Sequence, residues 1–380
     1  MIRAKKIFYG ILIAFVAAFS LCSCGGDQPA EKTKYTLTVW GAENDQAMLK
    51  EMCQAFAEAN PENEYKFLFG VQGENDAADK VLNDVTSGPD VYSFASDQIN
   101  KLIAGGALAR IGGQNEATVK ELNTAGSVDA ATITVNGEDQ LFAYPSTGDN
   151  CYFVYYDKRV YTDPSQLATL ESMLDTANAA GKKVHFKLND DGWYLSSFFF
   201  TNPDLGYKVT YNQNMVEEKV EINYDTEAGL DIMKSLRTYL SHDALVANTD
   251  DSKIIAAFTP DASGKLEAAA AISGTWNAET VKQLLGENMG VCVLPKITVK
   301  GEQVQLSGYM GYKLIGVNGY SQNKVEAHKL ALWLTNEQNQ LKRFETRGFG
   351  PTNKVVSAME KVQNDPVISV VLEQAQYNRA

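Results

Sequence analysis

Histidine and cysteine are scarce in this chain, with three and five among 380 residues. His185, His242 and His328 stand on separate stretches without ligand spacing, and no HExxH, GxSxG or GxGxxG motif occurs. Gly264-Lys265 lacks the earlier glycine and the following Ser or Thr of a phosphate loop. The cysteines, at 22, 24, 53, 151 and 292, include no CxxC pair and are odd in number, which argues against a zinc cluster and a full disulfide framework. A basic excess is also missing. The chain carries 34 Lys and Arg against 47 Asp and Glu, a formal −13, so it has no surface to neutralise a phosphate backbone, and nucleic acid is excluded as a partner. What is present is an ordinary globular balance, 44% hydrophobic and 21% charged, with a surplus of aromatics that includes 18 Tyr and 16 Phe. The length predicts two to three domains with sizeable cores.

The amino terminus reads as an export signal. Arg3, Lys5 and Lys6 precede an apolar run from Ile7 to Phe19, which is shorter than the roughly 20 residues of a spanning helix. Leu21-Cys22-Ser23-Cys24 resembles a bacterial lipobox: Leu21 stands three before Cys24 and a small residue directly before it, whereas Cys22, preceded by Leu21, fits poorly. The expectation is cleavage after residue 23 and lipidation of Cys24, which holds the protein at a membrane surface. The alternative is ordinary signal cleavage with Cys24 left as a free thiol. Removing Arg3, Lys5 and Lys6 leaves 31 basic against 47 acidic residues, a formal −16. A polar tether over 24–34 then leads to folded sequence near Tyr35.

From there strand and helix signals alternate. Tyr35 to Trp40 alternates as a strand, and Met48, Met52, Ala55 and Phe56 share a helical face that ends at Asn60-Pro61. A strand over 65–69, a helix over 75–86, a strand over 90–94 and a helix from Ser96 complete a β-α-β-α-β-α run. Such a run predicts a mostly parallel sheet with helices on both faces and ligands at the carboxyl ends of its strands. That places Glu43, Asn44, Asp45, Phe94 and Asp97 near one crevice, each with a plain alternative as an exposed or capping residue. The polar break over 146–150 is the expected crossing to a second α/β unit: strand 152–156, helix 166–179, strand 183–187, helix 191–200, helix 226–240, strand 266–272 and a helix after Trp276. A Gly- and Tyr-rich strand over 307–317 opens a third section, followed by helices over 322–346 and beyond 352.

Two segments combine flat rings with hydrogen-bonding groups. Asn189-Asp190-Asp191-Gly192-Trp193-Tyr194 opens a helix, and Ser273-Gly274-Thr275-Trp276-Asn277 follows a strand. A sugar ring has an apolar C–H face and a hydroxyl rim, so its site needs both groups together. Core packing is the competing role for each Trp; Trp40 and Trp333 are assigned to it.

Leu37-Thr38-Val39-Trp40, Gly88-Pro89-Asp90-Val91 with Asp97, Leu141-Phe142-Ala143-Tyr144-Pro145, Ser273-Gly274-Thr275-Trp276 and Arg347-Gly348-Phe349-Gly350-Pro351-Thr352-Asn353 occur in an order and spacing that resembles the extracellular solute-binding proteins of the maltose-binding type. The resemblance runs from about residue 35 to the end. It implies a two-lobed periplasmic-binding-protein fold (type II), α/β with mostly parallel sheets and crossing hinge segments. Lobe 1 is expected over 35–146 plus about 307–350, and lobe 2 over 150–303 plus about 351–380. It also implies an oligosaccharide ligand of maltodextrin type, delivery to an ABC permease, no catalysis and no cofactor. Phe94 and Asp97 match the aromatic and acidic pair of the first lobe, Asp149 a carboxylate on the crossing segment, and Trp193 or Tyr194 and Trp276 the stacking rings of the second lobe. Asn44 and Asp45 fall where the family has polar contacts, and Tyr309 and Tyr312 add candidate stacking near the cleft. The sequence departs from the pattern at Phe94, where maltose binders carry a Trp, and in ending before the last few dozen residues usual in the family.

Other readings keep the receptor but change its ligand to a polyamine, a peptide or iron. Tyr155-Tyr156 resembles tyrosine pairs that hold ferric iron, yet neighbours in a strand face opposite ways. An exported glycosidase rests on acid-rich composition alone, because two carboxylates can meet in space without a sequence mark.

Overall fold

The alternation that opens the folded sequence becomes strand β1 (Thr33–Gly41), starting two residues earlier than expected and pairing in parallel with β2 (Asn63–Val71). The structure is a computed structural model that describes residues 32–189, 191–213 and 215–379; the export segment and Cys24 lie outside them. The other principal strands are β3 (Val91–Ala95), β4 (Ala143–Asn150), β5 (Tyr152–Asp157), β6 (Lys183–Phe186), β7 (Leu245–Ala247), β8 (Ala268–Gly274), β9 (Met289–Cys292) and β10 (Gly311–Val317).

They form two five-stranded sheets, in the orders β2-β1-β3-β10-β4 and β7-β6-β8-β5-β9. Each sheet has a three-stranded parallel part, extended by one reversed strand (β10 in the first sheet, β5 in the second) and by an edge strand (β4, β9) that pairs antiparallel with it. β4 ends in the first sheet at Asn150 and β5 begins the second at Tyr152, so the chain changes sheets at Cys151. It returns from β9 to β10 and leaves again after the helix Glu337–Arg347, and the later helix Pro366–Ala375 packs on β5 and β9. The result is a two-lobed α/β architecture whose chain crosses between the sheets, as the resemblance implies.

Helix Gln46–Ala59 buries Met48, Leu49, Met52, Cys53 and Phe56 on one stripe against the first sheet. Successive residues of β5 feed opposite faces of the second sheet. Val154 and Tyr156 join one core, and Tyr155 joins the other beside Ile254 and Phe258. Among the described residues no group of three or more His, Cys, Asp or Glu is placed to hold a metal, and Tyr155 and Tyr156 face different cores rather than one site. Tyr155 donates its hydroxyl hydrogen to the Gly274 carbonyl at 2.8 Å instead.

Two histidines belong to these interiors. Tyr144 Oη lies 2.9 Å from His328 Nδ1, and Asn248 Nδ2 lies 3.0 Å from His185 Nδ1. Burial lowers both imidazole pKa values. As pH falls below about 6.5, the unfolded chain takes up protons that the native rings refuse, so stability declines until the lowered native values are reached. Urea unfolding midpoints should therefore fall between pH 7.5 and pH 5.5. The fall should be smaller in a His185→Gln/His328→Gln variant; equal slopes in the two proteins would exclude this origin.

Candidate functional site

The carboxyl ends of four parallel strands deliver their loops to one cavity between the lobes, of about 560 Å³. Gly73 to Asp76 arrive from β2, and Ala95, Asp97 and Gln98 from β3. Lys187 follows β6, and Trp276 follows β8. Asn150 and Lys313, on the crossing strands β4 and β10, complete the lining from the hinge side. Asp191, Trp193, Tyr194 and Asp251 come from the starts of two second-lobe helices. The volume is within the usual range for a small-molecule site.

Local chemistry fixes the aromatic wall. Asp191 caps helix Gly192–Phe199, accepting hydrogen bonds from the backbone N–H of Trp193 (3.0 Å) and Tyr194 (3.2 Å), while its other oxygen holds the Lys187 ammonium at 2.9 Å. That cap sets Trp193 edge-on to Tyr152, with ring centroids 4.7 Å apart, and 5.9 Å from Trp276. Trp276 lies against the end of β8, where Gly274 leaves room for it: a β-carbon there would overlap the indole ring and the Cys151 carbonyl oxygen. Thr275 and Asn277 pin the turn through hydrogen bonds to the Asp149 carbonyl (3.3 Å) and the Ser273 hydroxyl (2.9 Å).

Behind the rings lies a polar layer. Asp251 accepts hydrogen bonds from Tyr194 Oη (3.2 Å) and Ser273 Oγ (3.4 Å). Burial pushes its carboxyl above the usual range, against the opposing pull of Lys187. Burial disfavours the Lys187 charge, but Asp191, Asp251 and Asp250 outweigh it and hold the ammonium above its ordinary range. On the opposite wall burial also raises the Asp97 carboxyl, opposed by its own backbone N–H and by Lys101. Two half-buried indoles between carboxylates suit a flat ligand with apolar faces and a rim of hydroxyls.

Of the residues singled out in the sequence, Asp97, Trp193, Tyr194 and Trp276 meet at this cavity. The others lie elsewhere, for identifiable reasons. Phe94 is fully buried in the first core beside Tyr92, because both faces of β3 are covered. Glu43 and Asn44 are exposed on a 3₁₀ turn, and Asp45 is buried with its carboxylate on Arg347 at 2.8 Å. Asp149 is fully buried and accepts the Gly350 N–H at 3.0 Å, tying the crossing segment to the Phe349–Pro351 stretch. Tyr309 packs edge-on against Phe200 with centroids 4.8 Å apart, and Tyr312 packs against the first core. The wall expected after β1 is supplied instead after β2, by Glu74, Asn75 and Asp76.

The residues missed in the sequence are chiefly Lys187, Asp251 and Lys313. Asp250-Asp251 opens an apolar helix just as Asp191 does, a capping signal that could have flagged it. Lys313 is a lone charge inside the apolar strand Gly311–Val317, which is itself a signal.

A family model of bacterial extracellular solute-binding proteins matches residues 51–369. A galactooligosaccharide-binding protein of Bacillus subtilis (strain 168) is 26% identical over 377 residues, which is 97% of this chain and 84% of that protein. A solved structure with acarbose is 32% identical, with a TM-score of 0.78 over 90% of this chain and 86% of its own. The maltodextrin-binding protein MalE1 of L. casei BL23, solved without ligand, is 22% identical with a TM-score of 0.70 over 90% and 86% of the two chains, and shares the fold.

Proposed function

The chain belongs to the bacterial extracellular solute-binding proteins, and from that premise we propose that it binds a neutral oligosaccharide in the interlobe cavity and delivers it unchanged to an ABC permease. The observation that carries the reading is the Trp193–Trp276 pair, 5.9 Å apart in a cavity that also presents Asp97 and Asp251. The galactooligosaccharide-binding relative and the acarbose-bearing structure support the ligand class. A maltodextrin and a β-galactooligosaccharide are its two members to compare. A micromolar dissociation constant requires about 8 kcal/mol, which two stacked rings and several charge-assisted hydrogen bonds supply.

The division into lobes at 35–146 with 307–350 and at 150–303 with 351–380 is part of this reading. So is anchorage outside the cytoplasm by lipid at Cys24; among the described residues no helix is long and apolar enough to cross a membrane. The named relatives are binding proteins, and this chain is read as a non-enzyme. A thermal-shift screen of maltooligosaccharides and galactooligosaccharides tests the proposal, because a ligand that binds only the native state raises the unfolding temperature by mass action. The expected hit is recovered from the protein intact. Cleavage of the hit would support the glycosidase reading, and a screen with no shift would remove the sugar reading.

A further inference from the structure

Lys313 is only 6% exposed, yet it lines the cavity, and its ammonium makes no hydrogen bond or ion pair among the described residues. It lies 4.2 Å from the ring centroid of Phe349 and 5.8 Å from that of Trp276. An ammonium has three donors and no acceptor, so resting on aromatic rings compensates part of its charge while leaving its N–H groups free for oxygens in the cavity. Other charged groups at the cavity are placed differently: Lys187 already holds Asp191, and Asp251 already accepts from Tyr194 and Ser273.

The backbone brings Lys313 there by an irregular path. The pairing of β10 with β4 shifts register between Gly311 and Lys313 and again between Lys313 and Leu314. Bulges of this kind re-aim a side chain and concentrate beside functional sites. Lys313 therefore sits on a crossing strand, at the hinge side of the cavity, between the two walls that a closing ligand touches.

We propose that Lys313 is a ligand-contacting and specificity-determining residue: its ammonium donates hydrogen bonds to oxygen atoms on the edge of the bound sugar that faces the hinge. The inference rests on the sugar reading above. It divides recognition by donor type. The walls carry Glu74, Asp76, Asp97, Asp191 and Asp251, which accept from hydroxyls, while the hinge side donates to oxygens with free lone pairs, including ring and glycosidic oxygens. With five carboxylates against Lys187 and Lys313, the lining is a formal −3, so a neutral sugar is favoured over its uronic-acid counterpart.

The test is calorimetric titration of the parent protein, Lys313→Met and Lys313→Gln with maltotriose, maltotetraose and galactotriose, alongside the unfolding temperature of each unliganded protein. Lys313→Met keeps the length of the stem and removes the donors. It should bind the parent's preferred sugar about 10- to 100-fold more weakly, with no loss of unliganded stability, since the ammonium it removes has no hydrogen bond or ion pair in the unliganded protein to lose. Lys313→Gln, which restores a neutral donor, should fall between the two and covers the case in which the Met variant fails to fold. Affinities within twofold of a parent that binds would overturn the inference and leave the sugar reading standing. A parent that binds none of the three sugars would overturn both.

Discussion

Trp276→Ala is expected to abolish most of the sugar affinity while leaving a folded protein. Truncating a central aromatic anchor typically costs about 2–4 kcal/mol, a loss of roughly 30- to 1000-fold in the dissociation constant. The indole is half-buried, lies over Gly274 and is 5.9 Å from Trp193, so its removal opens one wall of the cavity and leaves the second-lobe core beneath it in place. Trp276→Phe keeps a ring and should retain much of the affinity. Because the two indoles are neighbours, the Trp193→Ala/Trp276→Ala double variant should lose less than the sum of the single losses. Titration calorimetry with the best sugar from the thermal screen measures the parent, Trp193→Ala, Trp276→Ala, Trp276→Phe and the double variant. A Trp276→Ala variant that binds as tightly as the parent would show that the ring belongs to the core alone.

Gln340→Met is expected to be the most damaging single change to the fold. Gln340 is 1% exposed in helix Glu337–Arg347. Its Oε1 accepts from the backbone N–H of Thr352 and of Asn353, each at 2.8 Å, and from Thr352 Oγ1 at 3.2 Å. Its Nε2 faces the Thr335 carbonyl (2.9 Å), Asn123 Oδ1 (3.2 Å) and the Pro145 carbonyl (3.3 Å). One side chain thus joins a first-lobe helix, the strand that carries the first crossing, and the segment where the chain leaves for the second lobe. Methionine fills a similar volume but leaves two buried backbone N–H groups without an acceptor. At about 1–3 kcal/mol each, the loss is roughly 2–6 kcal/mol. Urea unfolding followed by circular dichroism measures it; a loss under about 1 kcal/mol would mean that the N–H groups find other partners.

The elements were legible because their signals are local. Strand and helix alternation and the Asn60-Pro61 stop lie within a few residues of the structure they specify. Trp193, Tyr194 and Trp276 were legible as candidates because a ring beside Gly and polar residues at an element start has few core roles. The order of strands was not. β10 inserts between β3 and β4, pairing Leu314 with Phe94 and Pro145, and no local pattern encodes contacts across some 200 residues. Phe94 was misplaced because β3 is covered on both faces, so period two assigns no cavity side. Asp45 was misplaced because its partner, Arg347, lies near the other end of the chain. Lys313 stands out as a lone charge in an apolar strand, but the side it faces depends on two register shifts that only the paired strands reveal. The short exposed hairpin Tyr207–Tyr211 with Glu217–Ile222 was missed because neither of its strands has a buried face to give it a period.

The central claim is that the cavity between the lobes captures an intact oligosaccharide, and calorimetric titration of the purified chain with a maltooligosaccharide and galactooligosaccharide series at several temperatures tests it most directly. The account predicts saturable one-to-one binding by at least one series, at about micromolar affinity and with the negative heat capacity change of ring burial. Binding should weaken in Trp276→Ala, with the sugar recovered uncut. Absence of heat and of thermal stabilisation across both series, in protein that unfolds cooperatively, would contradict it.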